Sequence, residues 1–327
     1  MKAILCRSYG TAENLVFEEI DDLLPGEGEL VIEVYSAAMN FPDTLQIAGK
    51  YQNKPKFPFS PGSEAGGIVK AVGPDVKGLA VGDRVLATPG IGCMAEQVLC
   101  RENQVKKIPD LMDFKTASGF TMVYGTSFHA LKQRAALKAG ETLLVIGASG
   151  GVGLSAVELG KVMGATVIAA ASSEEKLLYA KNAGADFLVN YGDGEMKNKV
   201  KALTGGKGAD VIYDPVGGDL FDQAVRCINW NGRLLVIGFT SGRIPQFPIN
   251  LALLKSISIV GVFWGALRQK EPEIELANQE ALFCLYAEGK LKPLVSQSFA
   301  FEDYVSAFNV LTERKAIGKV VLEIKSE

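Results

Sequence analysis

A glycine-rich segment at residues 147–153, Gly-Ala-Ser-Gly-Gly-Val-Gly, is the part of the sequence whose residue types most clearly suggest chemistry. It follows the apolar run Thr142–Gly147 and opens a predicted helix at Gly151–Met163. Glycines permit a tight turn close to a pyrophosphate, and a helix N-terminus offers free N–H groups and partial positive charge. This context predicts a dinucleotide site, a turn without ligand being the alternative. The expected contacts are Ala148, Ser149, Gly150, Gly151, Val152 and Gly153.

The end of the next predicted strand indicates which dinucleotide the site prefers. NAD sites usually carry Asp or Glu there, whereas this chain has Ala-Ser-Ser at residues 171–173. Ser172 and Lys176 are candidates for binding a 2′-phosphate, and two such hydrogen bonds would contribute roughly 3–6 kcal/mol. Glu174 and Glu175 would favour NAD instead, but we assign them to a first helical turn, where acids suit the dipole. We therefore predict NADPH as cofactor.

The surrounding elements follow two different patterns. Residues 1–120 contain short strands separated by Gly and Pro turn signals, which is typical of a mostly β domain. After a helix at Thr121–Lys132, strands and helices alternate from Glu141 to Gly265, as in a doubly wound parallel sheet. The sequence predicts an α/β protein with the nucleotide-binding domain inserted into the β domain. The segments predicted to return to the β domain are Glu275–Glu288, Val295–Phe299, Glu302–Thr312 and Gly318–Ile324.

Composition narrows the class of protein and its compartment. The net charge is −3, and no basic stripe suggests nucleic-acid binding. No apolar run is long enough to span a membrane, and the N-terminal apolar run is too short for a signal peptide. Five scattered cysteines without a CxxC pair favour a reduced compartment. We expect a cytoplasmic protein that binds neither nucleic acid nor membrane.

One predicted strand suggests self-association. The run Ser256–Phe263 is expected to form an exposed sixth strand of the parallel sheet. Unpaired strand edges are usually covered or paired. We therefore predict that two copies pair there as a homodimer.

Further segments share their order and spacing with one known family. They are Asn40–Asp43, Pro61–Gly67, the glycine segment, Ser172–Lys176, Val189–Tyr191, Tyr213–Gly218 and Arg314–Lys319. Over nearly the whole length the chain resembles the quinone oxidoreductase branch of the medium-chain dehydrogenase/reductases, which includes zeta-crystallin. Gln52–Gly66 and Gly261–Gly265 resemble quinone-oxidoreductase-like proteins most closely.

The resemblance implies a domain organisation and a set of site residues. It implies a GroES-like catalytic domain at residues 1–123, a Rossmann-type NADPH-binding domain at 124–265 and a return to the catalytic domain at 266–327. Asn40 and Asp43 would lie beside the nicotinamide. The other implied cofactor contacts are Thr126, Lys176, Tyr191, Gly217, Phe239, Phe263, Trp264, Gly265 and Arg314. A structural role for Tyr191 is the alternative.

Zinc-dependent relatives bind their metal with a Cys, a His and a third ligand. Here Asn40 and Ser63 stand at the Cys and His positions, and the one histidine, His129, lies on the linking helix, where we expect it to be packed or solvated. Tetrahedral catalytic zinc requires three such ligands, so we predict no metal. Quinones and α,β-unsaturated carbonyl compounds are electron-poor without a Lewis acid, and positioning alone can promote their reduction. They are the predicted substrates.

The proton donor and the exact acceptor stay open at this point. Tyr51 is a candidate donor or lid residue, and water is the alternative. An enoyl- or acryloyl-thioester reductase would need basic groups such as Arg243 and Arg268 for coenzyme A phosphates. A non-enzymatic NADPH-binding protein, either crystallin-like or RNA-binding, is the third hypothesis. The sequence does not distinguish one-electron from two-electron reduction.

Overall fold

The computed structural model describes residues 1–326, and the chain divides into two compact units. Unit 1 comprises Met1–Met122 and Pro293–Glu327, and unit 2 comprises Val123–Lys292. Glu327, the last residue of the predicted third segment, lies outside the described residues. The predicted boundaries at residues 123 and 265 stay a prediction, and in this division residues 266–292 group with unit 2.

The chain begins in unit 1 with short strands and two helices. Its strands are β1 (Lys2–Leu5), β2 (Val16–Glu19), β3 (Glu29–Met39), β4 (Glu64–Val72), β5 (Arg84–Ala87), β6 (Gln97–Arg101) and β7 (Val105–Lys107). The helices are α1 (Phe41–Ile47), between β3 and β4, and α2 (Phe114–Ser118).

Strands and helices then alternate through unit 2. Helix α3 (Thr121–Phe128) continues as a π-helical segment, His129–Arg134. The strands are β8 (Thr142–Ile146), β9 (Thr166–Ala171), β10 (Phe187–Asn190), β11 (Ala209–Asp214), β12 (Ile228–Val236) and β13 (Ser258–Gly261). The helices are α4 (Gly151–Val162), α5 (Glu174–Asn182), α6 (Met196–Leu203), α7 (Gly218–Ala224), α8 (Asn250–Lys255), α9 (Trp264–Lys270) and α10 (Pro272–Ala287). Unit 1 is completed by β14 (Val295–Ala300), α11 (Tyr304–Thr312) and β15 (Lys319–Glu323).

Unit 2 is built on one parallel sheet of six strands in the order β10-β9-β8-β11-β12-β13. Apolar side chains such as Leu144, Ile168 and Ile212 are buried in its core, which is why these strands are apolar runs in the sequence. The strand order reverses between β8 and β11, as in a Rossmann-type doubly wound fold. The predicted fold class is confirmed.

The register of β3 determines which residues come together at one end of the sheet in unit 1. Strand β3 pairs antiparallel with β4 and with β15, so that Ala38 lies opposite Glu64 and Met39 lies opposite Val320. The end of β3 therefore meets the beginnings of both neighbouring strands. Residues that directly follow Met39 come close to Glu64 and Lys319, although the chain separates them widely.

Gly153 allows α4 to pack tightly against the turn after β8. A Cβ at this position would lie 2.3 Å from the carbonyl oxygen of Gly147 and 2.8 Å from Cα of Ala148. Both neighbours are backbone atoms, so the contact cannot be relieved by a side-chain rotation.

Replacing Gly153 with alanine should therefore destabilise unit 2. We expect Gly153→Ala to lower the free energy of unfolding by about 1–3 kcal/mol through overpacking, as measured by urea denaturation without nucleotide. Gly150→Ala is the matched control, because its Cβ would meet only the Gly147 carbonyl oxygen, at 3.6 Å. Equal stabilities of the two variants would contradict this packing argument.

Candidate active site

Two turns lie side by side at the carboxyl edge of the parallel sheet, where the strand order reverses. A Cβ on Gly147, in the turn after β8, would lie 3.0 Å from Cγ2 of Val216, in the turn after β11. Oδ1 of Asp214 shapes the second turn by accepting the backbone N–H groups of Val216 (2.8 Å) and Gly217 (2.9 Å). Open α/β sheets bind their ligands in the crevice at such a reversal. The structure thus brings the predicted glycine segment and Gly217 together.

The beginning of α4 has the donor set that a pyrophosphate requires. Gly150 caps the helix and provides no side-chain hydrogen bond, so the first-turn N–H groups have no intrahelical or side-chain acceptor. The hydroxyl of Ser127 lies 3.1 Å from the Val152 carbonyl oxygen, 2.9 Å from Ser155 Oγ and 2.8 Å from Tyr213 Oη. These contacts fix the first turn of α4 against α3 and β11. Ser127 follows the predicted contact Thr126, and the sequence analysis did not identify it.

A cavity of about 320 Å³ opens at the carboxyl ends of β9 and β10. Its lining includes Ser172, a predicted ligand of the 2′-phosphate, and its other lining residues are Ser173, Glu174, Asn190, Gly192, Asp193 and Lys199. The Asn190 amide donates to Glu174 Oε1 (2.8 Å), and Lys199 Nζ donates to Asp193 Oδ2 (2.7 Å). Glu174 and Glu175 lie in the first turn of α5, as expected from the dipole argument.

Lys176 and Tyr191 lie on the two segments that flank this cavity. The backbone N–H of Lys176 donates to the capping hydroxyl of Ser173 (3.3 Å), and the N–H of Tyr191 donates to the Ala171 carbonyl oxygen (3.0 Å). Arg314 belongs to unit 1, where it is exposed and has a left-handed backbone with φ of 59°. The structure therefore places Lys176 and Tyr191 in one unit and Arg314 in the other.

The remaining predicted nicotinamide contacts differ in exposure. Phe239 is half-buried beside Gly217, whose Cβ would lie 3.0 Å from the Phe239 ring. The ring of Phe263 is 61% exposed, whereas Trp264 is 5% exposed and donates its indole N–H to Glu275 Oε2 at 2.9 Å. A Cβ on Gly265 would lie 3.2 Å from the Phe263 ring. The Trp264 N–H is thus already hydrogen-bonded within unit 2.

Unit 1 contains a buried polar group, here called the Asn40 cluster, made of Asn40, Asp43, Ser63, Glu64 and Lys319. Asn40 caps α1, and Asp43 Oδ2 accepts its backbone N–H at 2.8 Å. Asp43 Oδ1 accepts the hydroxyl of Ser63 at 2.6 Å. Burial raises the pKa of Asp43 to about 6, although these two hydrogen bonds lower it. The cluster contains two predicted catalytic residues, Asn40 and Asp43.

A fully buried salt bridge forms the other half of the Asn40 cluster. Lys319 Nζ lies 2.9 Å from Glu64 Oε1, and the two side chains are 6% and 1% exposed. Both charged groups also contact the Asn40 amide. Glu64 and Lys319 lie within segments that carry the family resemblance, but neither was predicted as a site residue. Only the register of β3 with β4 and β15 joins them, and that register was not predictable from the sequence.

Tyr51 and His129 occupy different environments. Tyr51 is half-buried, and burial together with the nearby Asp43 carboxylate raises its phenol pKa above the usual value. His129 is buried, with Nδ1 3.2 Å from Gln133 Oε1, as expected for a packed helical histidine. In residues 1–326, no three His, Cys, Asp or Glu side chains are grouped where they could bind a metal.

The raised pKa of Asp43 predicts a pH-dependent stability difference. Because the folded pKa exceeds the ordinary 3.8, the fold favours the protonated acid, and this stabilisation is lost as pH rises through about 6. Wild type should therefore lose stability relative to Asp43→Asn as pH rises. Urea titrations should show that the free energy of unfolding of the variant minus that of wild type increases by about 2 kcal/mol between pH 4.5 and 7.

Asp193→Asn is the control of opposite sign. Hydrogen bonds from Lys199 and the backbone lower the pKa of this exposed acid, so its substitution should become more destabilising as pH rises. If the difference in free energy of unfolding between Asp43→Asn and wild type did not change with pH, the pKa of Asp43 would not be raised in the folded protein.

Comparisons with known proteins relate this chain to a family of oxidoreductases. A family model described as an alcohol dehydrogenase GroES-like domain matches residues 26–110, and one described as a zinc-binding dehydrogenase matches residues 151–279. A quinone oxidoreductase-like protein 2 homolog from Nematostella vectensis is 40% identical, with 99% of this chain and 89% of the relative covered. Human quinone oxidoreductase is 30% identical, with 98% and 97% covered.

Solved structures extend the similarity to the whole fold. The Escherichia coli quinone oxidoreductase complexed with NADPH has a TM-score of 0.92 and 28% identity, with 99% of this chain and 100% of that chain covered. A mycobacterial protein complexed with NADPH has a TM-score of 0.93 and 29% identity, with the same coverage. The chain belongs to the quinone oxidoreductase branch of the medium-chain dehydrogenase/reductase superfamily.

Proposed function

We propose that this oxidoreductase uses NADPH to reduce quinones or related α,β-unsaturated carbonyl compounds without a metal. The observation that carries the proposal is the Asn40 cluster, in which Asn40 and Ser63 stand at the metal-ligand positions of zinc-dependent relatives. Their side chains are engaged by Lys319, Glu64 and Asp43. An amide and a hydroxyl held in this way form a hydrogen-bonding site rather than the donor set of catalytic zinc.

The nucleotide-binding residues fit NADPH. The first turn of α4 offers N–H donors to the pyrophosphate, and Ser172 and Lys176 are the proposed ligands of the 2′-phosphate. Glu174, the acid that would favour NAD, has its carboxylate engaged by the Asn190 amide. Similar proteins have been solved as NADPH complexes, which supports the same cofactor here. When bound, NADPH supplies the hydride.

The chain's own residues then have two tasks in reducing the acceptor. They must hold an electron-poor carbon in position, and a proton must reach the product, because a quinone takes up one hydride and one proton to become a hydroquinone. Tyr51 is the proposed donor, because a phenol keeps its proton at neutral pH and this one lies near Asp43 of the Asn40 cluster. Positioning supplies most of the rate enhancement for such an activated acceptor.

A specific observation disfavours the thioester alternative. The guanidinium of Arg243 binds Asp219 (2.9 Å) and Asp222, and Arg268 stacks over Trp264 with its guanidinium carbon 5.0 Å from the ring centroid. Both candidate ligands of coenzyme A phosphates are therefore engaged within unit 2. The quinone or enone proposal needs neither arginine.

We also propose that the protein is a homodimer and cytoplasmic. Strand β13 is the edge of the parallel sheet, with β12 as its one paired neighbour in residues 1–326. The adjoining segment exposes Ile249, Leu253 and Leu254 by 76%, 82% and 66%. A second copy would cover both edge and apolar side chains. Within residues 1–326 the five cysteines form no disulfide, and no described helix has the length and apolarity to cross a bilayer.

Steady-state assays test the proposed activity. The purified protein should oxidise NADPH with a benzoquinone or cyclohexenone at rates above those with acryloyl- or crotonyl-thioesters, and NADPH should bind more tightly than NADH. Ser172→Ala/Lys176→Met should weaken NADPH binding about a hundredfold and leave NADH binding unchanged.

Lys181→Met is the matched control for the nucleotide-binding measurements, because Lys181 is exposed on the same helix as Lys176. Faster turnover of a thioester would favour the alternative enzyme. Tight NADPH binding with no turnover of any acceptor would favour a non-enzymatic protein.

Light scattering tests the dimer. The wild type should give about twice the mass of one 34.9 kDa chain, and Ile259→Lys, in β13, should halve it by placing a charge at the paired edge. Leu178→Lys is the control, because Leu178 is exposed on α5 rather than at the sheet edge. A wild-type mass of one chain would refute the dimer.

A further inference from the structure

The ammonium of Lys319 has all of its hydrogen-bonding capacity committed inside the Asn40 cluster. Nζ donates to the Met39 carbonyl oxygen (3.0 Å), Asn40 Oδ1 (2.6 Å) and Glu64 Oε1 (2.9 Å). An ammonium has three N–H donors and no acceptor. Lys319 can therefore offer nothing to a ligand and acts only on its neighbours.

Glu64 is committed in the same way. Oε1 accepts from Lys319 and from Asn40 Nδ2 (3.0 Å), and Oε2 accepts the backbone N–H of Met122 at 2.9 Å. An ionised carboxylate only accepts. Its two oxygens thus hold the ammonium, the amide and the start of α3 in fixed positions.

Together, the two charged groups leave the Asn40 amide a single orientation. The atom facing the donor-only ammonium must be Oδ1, and the atom facing the acceptor-only carboxylate must be the NH₂ group. Turning the amide over would place its N–H groups against Lys319 and its oxygen against Glu64. In this orientation Oδ1 is bonded to a cation, and Nδ2 has used one of its two hydrogens.

We propose that the buried Lys319–Glu64 pair orients Asn40 so that the second Nδ2 hydrogen donates to the carbonyl oxygen of the acceptor. Asn40 is then a catalytic residue, and Lys319 and Glu64 are positioning residues that do not touch the acceptor. This inference rests on the proposed function and specifies how the chain recognises the substrate class. The ligand group must be a hydrogen-bond acceptor, as a quinone or enone oxygen is.

The same arrangement strengthens the donor. A cation 2.6 Å from the amide oxygen draws electron density toward that oxygen, and linked hydrogen bonds polarise one another in a low-dielectric site. Negative charge grows on the acceptor oxygen as the hydride reaches carbon. A fixed donor aimed at that oxygen therefore favours the transition state over the ground state.

Three variants separate the donor from the pair that orients it. Asn40→Leu removes the amide, and Glu64→Gln/Lys319→Met removes both charges together, because loss of one partner alone would leave the other charge buried and unpaired. Glu33→Gln/Lys325→Met is the matched control, since this second Lys–Glu pair, at 2.8 Å, lies at the surface of the same unit. Thermal unfolding and NADPH affinity are measured for every variant.

The kinetic test compares a strongly oxidising benzoquinone with the weaker electrophile cyclohexenone. Asn40→Leu should lower kcat for cyclohexenone about a hundredfold, as loss of an oxyanion donor does. The charge-pair variant, Glu64→Gln/Lys319→Met, should lower kcat for cyclohexenone about tenfold. Both variants should lower kcat for the benzoquinone by smaller factors. NADPH affinity should stay within about twofold, and the control pair should behave as wild type.

A second readout does not depend on turnover. In protein labelled with ¹⁵N, titration with cyclohexenone without cofactor should shift one of the two Asn40 side-chain amide protons, and not the proton bonded to Glu64. In the charge-pair variant this selectivity should disappear.

Unchanged kcat for Asn40→Leu, or no amide shift in the wild type, would overturn the donor role. A folded charge-pair variant with wild-type kcat and amide shifts would overturn the positioning role. A wild type that shows the selective amide shift but reduces neither acceptor would uphold this inference while refuting the proposed function.

Discussion

The buried salt bridge between Lys319 and Glu64 is the interaction on which the candidate active site depends. Two charges removed from water are tolerated only when each is compensated, and here Asn40, Met39 and Met122 provide the remaining hydrogen bonds. The compensation requires the ends of β3, β4 and β15 to meet in one register. The charge pair and the antiparallel pairing of β3 with β4 and β15 therefore stabilise each other.

This constraint gives the site its chemical character. The charges neutralise each other within the Asn40 cluster, so the group that we propose to contact the acceptor is an oriented amide rather than a free ion. Asp43, whose pKa burial raises to about 6, accepts the backbone N–H of Asn40 and so holds the cap of α1 in place. Unit 2 contains glycine turns that suit a pyrophosphate.

The sequence predicted the parts of the fold that local patterns encode. The strands of the parallel sheet are apolar runs because both sheet faces are buried, and the glycine segment is where a tight turn and a close helix contact require it. Asn40 and Asp43 were identified by resemblance. The Lys319–Glu64 pair was not, because 255 positions separate the two residues and only the strand register joins them. Trp264 is a second example, since the sequence could not predict the buried hydrogen bond from its indole N–H to Glu275.

Isotope transfer tests the central claim most directly, namely that NADPH reduces an already activated acceptor here without a metal. The measurement uses NADPH that carries deuterium at both C4 positions of the nicotinamide, with cyclohexenone as acceptor and a strong chelator present. The account predicts deuterium at the β-carbon of the product and a rate unchanged by the chelator. Product without deuterium, or turnover abolished by the chelator and restored by zinc, would contradict it.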